Sequence, residues 1–154
     1  MPQLINSALW RRLLMGGARV VPWPADLALT ALRVFTGLAL ALAHGWGKIP
    51  PSEQWVHQSL GAGDNAMGLP FPWVFAWCAA LAEFVGGLLL AAGLLGRPAA
   101  VLVTINMAVA AFGFHWLTRQ DPFGGMEMAL LFFFIALTFV FVGSGRFSVD
   151  RFLR

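Results

Sequence analysis

Residues Trp73–Leu95 read WVFAWCAALAEFVGGLLLAAGLL, an apolar run interrupted by one charged side chain, Glu83. A bilayer core takes about 20 apolar residues of helix to cross, and this run is long enough. It shows no period-two alternation, so a barrel strand is excluded and a helix is the only form that satisfies its backbone in lipid. Three more stretches match it: Ala25–His44, Ala99–Leu117 and Met126–Val142. The composition agrees. Of 154 residues, 59% are hydrophobic and 11% charged, too few charges to wet a compact soluble domain and too much apolar surface for a disordered chain. The fold class expected is all-α, an integral membrane four-helix bundle.

Pro22 and Pro24 precede the first span, and Pro70 and Pro72 the second, positions where a helix start tolerates proline. Gly93-Leu94-Leu95-Gly96-Arg97-Pro98 and Asp121-Pro122-Phe123-Gly124-Gly125 are tight turns that make their flanking spans antiparallel. The connection Gly45–Phe71 is longer. Within it Ser52 reads as the N-cap of a short interfacial helix presenting Trp55, Val56, Ser59 and Leu60 on one face and stopped by Gly61. Leu9, Trp10, Leu13 and Leu14 form an apolar stripe beside Arg11 and Arg12, an amphipathic N-terminal segment without the pattern of a cleavable signal peptide.

Basic residues set the expected orientation. With both termini cytoplasmic, Arg11, Arg12, Arg19, Arg97, Arg146, Arg151 and Arg154 lie inside, and only Lys48 and Arg119 outside. Trp46, Trp73, Trp77 and Trp116 then form an outer aromatic belt, with Trp23 at the inner boundary. The expected organisation is a cytoplasmic segment 1–24, a membrane domain 25–145 and a cytoplasmic tail 146–154. No Lys/Arg cluster interleaves with stacking aromatics, so the net charge of +3 points to the membrane rather than to nucleic acid.

Charges inside lipid cost about 2.5–3.5 kcal/mol each on insertion scales, so the exceptions are informative. Arg33 lies in the first span and Glu83 in the second. Counting about 1.5 Å per residue from the inner ends places them roughly 6 Å apart in depth, and a buried Arg33–Glu83 pair is expected. Such a pair has two readings, a packing device that fixes which helices meet or a ligand or proton site. A second polar group, His44, Lys48, His115 and Glu127, gathers near the outer face. Arg33, Gly37, His44 and Lys48 keep close to one helical face, so an outer cavity with two polar levels is expected. Two histidines on different helices could ligate a haem b iron, or hold a metal together with a carboxylate. No two-ligand spacing occurs on one helix, and no metal site is assigned. A Lys/Arg/His-lined pocket could take an acidic or quinone-like head group, and the bland alternative is a set of wetted interfacial side chains.

Gly37, Gly86 and Gly87 read as packing positions, with Ala82-x-x-x-Gly86 in small-xxx-small spacing. Met107, Met126 and Met128 read as core filling. Cys78 is the single cysteine, which leaves the chain alone unable to run dithiol chemistry. There is no phosphate loop, Cys-x-x-Cys, His-Glu-x-x-His or Gly-x-Ser-x-Gly.

Arg33-x-x-x-Gly37 followed by His44-Gly45-x-x-Lys48 resembles the first helix of DoxX proteins. Glu83-x-x-Gly86-Gly87 with Gly93-Leu94-x-Gly96-Arg97-x-Ala99 resembles their second helix and turn. Glu127-x-x-Leu130, Gly143-x-Gly145 and Ser148-Val149-Asp150 resemble their last helix and tail. The likeness covers about residues 27–150. It implies a four-helix protein of the bacterial or archaeal cytoplasmic membrane. Relatives include a small subunit associated with quinone-linked thiosulfate oxidation and proposed members of oxidoreductase complexes that handle thiol or oxidative stress. By this resemblance Arg33, His44, Lys48, Glu83 and Glu127 are the positions to test. The expectation is a membrane subunit that supports redox chemistry by holding a quinone or docking a soluble or membrane oxidoreductase, as a monomer or homo-oligomer. A small transporter or channel subunit and a ligand-free scaffold are the rivals.

Overall fold

A computed structural model describes residues 22–153, all helix, turn and loop, with no strand among them. The amphipathic stripe expected around Leu9–Leu14 falls outside the described residues. Four helices are long and apolar enough to cross a membrane. Helix α1 spans Trp23–Lys48, α3 Pro72–Ala92, α4 Gly96–Thr118 and α5 Phe123–Val142. They run alternately up and down. Helix α3 packs against both α1 and α4, α4 against α5, and a smaller contact between α5 and α1 closes the bundle. The chain is a multi-pass membrane protein with lipid-facing helices. Large apolar side chains such as Phe35, Leu42, Leu117, Phe134 and Phe141 are exposed on the outside of the bundle, where acyl chains rather than water meet them.

Two of the four helices are not regular throughout. Helix α1 is α-helical over Trp23–Ala39, widens to a π-helix over Leu40–Gly45 and tightens to a 3₁₀ turn over Trp46–Lys48. It therefore runs one turn beyond His44. Helix α4 is α-helical over Gly96–Ala108 and π-helical over Val109–Thr118. Both wide turns lie toward the same end of the bundle. Helix α3 stops at Ala92, short of Leu95, because Gly93 adopts a left-handed conformation (φ 66°) that closes the helix with bonds to the Leu89 and Leu90 carbonyls.

In the long connection, helix α2 covers Glu53–Leu60 as expected. Ser52 Oγ accepts from Trp55 N–H at 3.2 Å, and Gly61 follows the last turn. Val56 and Leu60 are buried against Ala76 of α3, with Trp55, Met67 and Leu69 packed around them. The strap is thus fastened to the bundle by its apolar face.

Close approach between α1 and α3 rests on glycine. A Cβ on Gly37 would stand 2.5 Å from the Gly87 carbonyl oxygen, and one on Gly45 would stand 2.5 Å from Phe84 N. Gly37, Ala41 and Gly45, four residues apart, line the α1 side of this seam, with Gly87 and Ala91 opposite. Apolar cores fill the remaining space. One holds Leu40, Val103, Met107, Phe132 and Ala136, and the other Leu90, Ala99, Ala100 and Phe139.

The last stretch is built into the bundle rather than trailing from it. After Gly143 the chain folds back, and the short helix α6 (Val149–Phe152) brings Asp150 under the α3–α4 turn. Ser144, Ser148 and Asp150 are all buried.

Candidate functional site

The expected Arg33–Glu83 pair does not form. Arg33 is 1% exposed, and the two terminal nitrogens of its guanidinium bond to backbone, while the buried Nε has no hydrogen-bond partner. Nη1 donates to the Leu90 and Ala91 carbonyls, both at 2.8 Å, and Nη2 donates to the Phe147 carbonyl at 2.7 Å. The physical reason lies in the end of α3. Its last carbonyls have no intrahelical partner and carry the negative end of the helix dipole, so they compete for a cation as a carboxylate does. A depth count that considers only charged side chains overlooks them. Arg33 therefore points toward the Trp23 end of the bundle, away from Glu83.

Around Arg33 the other buried polar groups form a clasp. The Asp150 carboxylate accepts from Leu95 N–H and Gly96 N–H, both at 2.9 Å, capping the start of α4, and from Ser144 Oγ at 3.0 Å. Asp150 N–H in turn donates to the Gly93 carbonyl at 3.0 Å. Asp26 in the first turn of α1 accepts from Arg146 N–H at 3.2 Å. Every partner is a backbone group or a hydroxyl, which suits a joint rather than a reaction centre.

Glu83 makes a different site. Lys48, from the 3₁₀ turn that ends α1, donates from Nζ to both Glu83 oxygens, at 2.7 and 2.6 Å. Asn106 of α4 donates from Nδ2 to Glu83 Oε1 at 3.3 Å. The Glu83 side chain is 5% exposed and that of Lys48 31%, so the carboxylate is buried and its counter-ion reaches the surface. The Trp55 ring of the strap lies beside the same ammonium, 5.4 Å from Nζ to the ring centroid. Three long helices and the strap thus converge on one carboxylate. The extra turn of α1 beyond His44 makes this contact feasible, because it carries Lys48 on a helical scaffold rather than a loop.

Of the six candidates read from the sequence, hydrogen bonds join only Lys48 and Glu83 to each other among the described residues. His44 packs edge-on against Phe132 of α5, with ring centroids 5.3 Å apart. His115 Nδ1 lies 2.7 Å from Asp121 Oδ2, with Arg119 Nε 3.6 Å from the same oxygen. Glu127 is exposed in the first turns of α5. Asn106 is not among those six, although a lone amide in an apolar span is the same kind of exception as Glu83. The sequence marks Asp121 as a turn residue and Trp55 as an interfacial one, and neither pattern reveals its ionic neighbour. Beside this end of the bundle a cleft of about 330 Å³ lies between the strap and α4, lined by Gln58, Ser59, Asp64, Asn65, Phe114 and Arg119.

A family model for DoxX matches residues 28–116, more than half of the chain, and takes in α1 from its second turn, the strap, α3 and nearly all of α4. The chain belongs to the DoxX family. This DoxX protein is also 36% identical over 97 residues to an uncharacterized protein of Haemophilus influenzae (strain ATCC 51907 / DSM 11121 / KW20 / Rd), a match covering 60% of this chain and 69% of that relative. No solved structure matches it significantly. The matched region contains every member of the Lys48–Glu83–Asn106 cluster together with Trp55. It stops short of α5 and of the C-terminal half of the clasp.

Proposed function

We propose that this DoxX protein is a subunit of the bacterial or archaeal cytoplasmic membrane that supports quinone-linked redox chemistry at the Lys48–Glu83–Asn106 centre. The observation that carries the reading is the Lys48 ammonium bonded to both oxygens of a buried carboxylate while remaining partly exposed. A buried acid paired with a surface-reaching cation is suited to exchange partners and protons, because the pair sits where the field is strong and its outer member meets the solvent. The donor set suits a quinone head group. An ammonium has three N–H groups and Glu83 takes two, so Lys48 retains a donor for a ring carbonyl. Glu83 would hold or release the proton that accompanies electron transfer, and Asn106 would keep the carboxylate aimed toward Lys48. The quinone, when bound, supplies the electron-accepting chemistry.

The reducing partner is a second protein in this reading, because Cys78 is the single cysteine of the chain. By the positive-inside rule the Lys48 end faces outward and the clasp faces the cytoplasm. The deciding experiment compares native and Glu83→Gln protein in membranes that contain the redox partners. The variant is expected to reach the membrane in normal amount while thiol- or thiosulfate-dependent quinone reduction falls at least tenfold. Unchanged reduction at equal protein level sinks the proposal.

A further inference from the structure

The cleft of about 330 Å³ between the strap and α4 is lined by none of the Lys48–Glu83–Asn106 residues, and its two walls carry opposite charges. Small-ligand clefts usually enclose about 300–1,000 Å³, so it is large enough for a small group. The strap wall is a turn over residues 63–66, closed by the Ala66 N–H donating to the Gly63 carbonyl at 3.0 Å, with Asp64 and Asn65 at its centre. Met67 seats this turn on α4, since a Cβ on Gly113 would stand 2.9 Å from Met67 Cε. The α4 wall presents Arg119. Its guanidinium lies over the Phe114 ring, 5.5 Å from the centroid, and its Nε lies 3.6 Å from Asp121 Oδ2. Its terminal nitrogens make no hydrogen bond among the described residues, and neither do the side chains of Gln58, Asp64 and Asn65. No ion pair joins Asp64 to Arg119 across the cleft.

Two opposite charges that line one cleft without pairing select their ligand by charge. A simple anion meets Asp64 and a simple cation meets Arg119, whereas a zwitterion satisfies both walls. The guanidinium fork, steadied by Phe114 and Asp121, matches the oxygens of a phosphate. The Asp64 carboxylate and the Gln58 and Asn65 carbonyls are acceptors for a primary ammonium, which has N–H groups to donate. The cleft sits where α4 ends at Thr118, beside Trp116 and Leu117, both exposed on the lipid-facing surface. That is the level of lipid headgroups. We propose that this cleft binds the phosphoethanolamine headgroup of a bilayer lipid, with Arg119 on the phosphate and Asp64 on the ammonium. The site is separate from the quinone reading and stands without it.

Native mass spectrometry of the purified full-length protein in detergent tests this with three dioleoyl lipids, phosphatidylethanolamine, phosphatidylcholine and phosphatidylglycerol. Native protein is expected to bind phosphatidylethanolamine about fivefold more tightly than either of the others, the scale of one exposed charge contact. Choline carries its charge without an N–H, and the glycerol headgroup has no cation to offer Asp64. Asp64→Asn should lower phosphatidylethanolamine affinity about fivefold and leave phosphatidylcholine unchanged. Arg119→Gln should weaken all three lipids by a similar factor, because all share the phosphate. Both side chains are exposed, so neither change threatens the fold. Equal affinity of native protein for the ethanolamine and choline lipids overturns the inference, and so does a preference that survives in Asp64→Asn. O-Phosphoethanolamine, the headgroup without its chains, identifies the source. It should bind at least about tenfold more weakly than the lipid, because it lacks the acyl chains that lie along the apolar surface. Binding as tight as that of the lipid assigns the cleft to a free solute and overturns the lipid reading.

Discussion

Arg33 and Glu83 are both charges buried in lipid-spanning helices, and the fold treats them in opposite ways. Arg33 is held by three backbone carbonyls at the Trp23 end, none of which can leave, titrate or exchange. Glu83 is held at the other end by two side chains, one of them a lysine that reaches the surface. A buried charge neutralised by backbone is locked to the fold, because its partners are present only when the helices are in place. A buried charge neutralised by a flexible side chain can be uncovered without unfolding anything. The nature of the partners distinguishes the two sites better than burial does, since both groups are almost fully buried.

The sharpest way to break this comparison is to remove each charge and ask what rescues it. Arg33→Met leaves the ends of α3 and of the Phe147 turn without their donor, and should cost about 3–5 kcal/mol, the usual penalty for stripping one partner from a buried charged network. Neutralising Asp26 or Asp150 in the same chain should not restore it, because the orphaned groups are carbonyls. Reversible unfolding of detergent-solubilised protein measures this. A loss below about 1 kcal/mol would show that the clasp is not a structural joint.

At the other end the outcome should be smaller and rescuable. Lys48→Met leaves a buried carboxylate facing only Asn106 and should cost about 2 kcal/mol, moderated because the site lies near solvent. Adding Glu83→Gln removes the charge that the first substitution orphaned, and the double variant should recover most of the loss while staying inactive in quinone reduction. The same unfolding measurement checks both steps. A double variant no more stable than Lys48→Met alone would mean that the pair is not the unit of stability here.

The four spans, their antiparallel turns and the Ser52-capped helix could be read from sequence because each has a local signature: apolar length, proline and glycine punctuation, and a cap residue three positions before its target amide. The Arg33 partner could not be read this way. Carbonyls at a helix end carry no residue letter, so a search for charge partners finds Glu83 and misses Leu90, Ala91 and Phe147. The π-helical turns at Leu40–Gly45 and Val109–Thr118 left no mark either. They sit in apolar sequence without proline, and each shifts the register of the face beyond it. His44 lies inside the first of these turns and packs on Phe132 of α5, whereas Arg33 and Gly37 before it and Lys48 after it all meet α3.

Gly86 and Gly87 give the finest test, because the sequence presents them as one packing pair and the fold separates them. Gly87 faces α1: its Cβ would stand 2.7 Å from the Gly37 carbonyl oxygen and 3.0 Å from Ala41 N, both backbone atoms that move only if the helices part. Gly86 faces α4: its Cβ would meet Val103 Cγ2 at 3.3 Å and Leu102 Cδ2 at 3.5 Å, which are tips of side chains. Alanine is favoured over glycine in a helix interior by roughly 0.5–1 kcal/mol, so each substitution starts with the same gain. At Gly86 a few tenths of an ångström of side-chain adjustment should preserve that gain, leaving Gly86→Ala within about 0.5 kcal/mol of native. At Gly87 overpacking against backbone should outweigh it, and Gly87→Ala should lose about 1–2 kcal/mol. The α1–α3 seam also carries Gly45 against Phe84, next to Glu83, so Gly87→Ala should weaken ubiquinone-1 binding while Gly86→Ala leaves it unchanged. Equal stability of the two variants would mean that α1 and α3 can separate at no cost, and that the Lys48–Glu83 contact does not depend on their close approach.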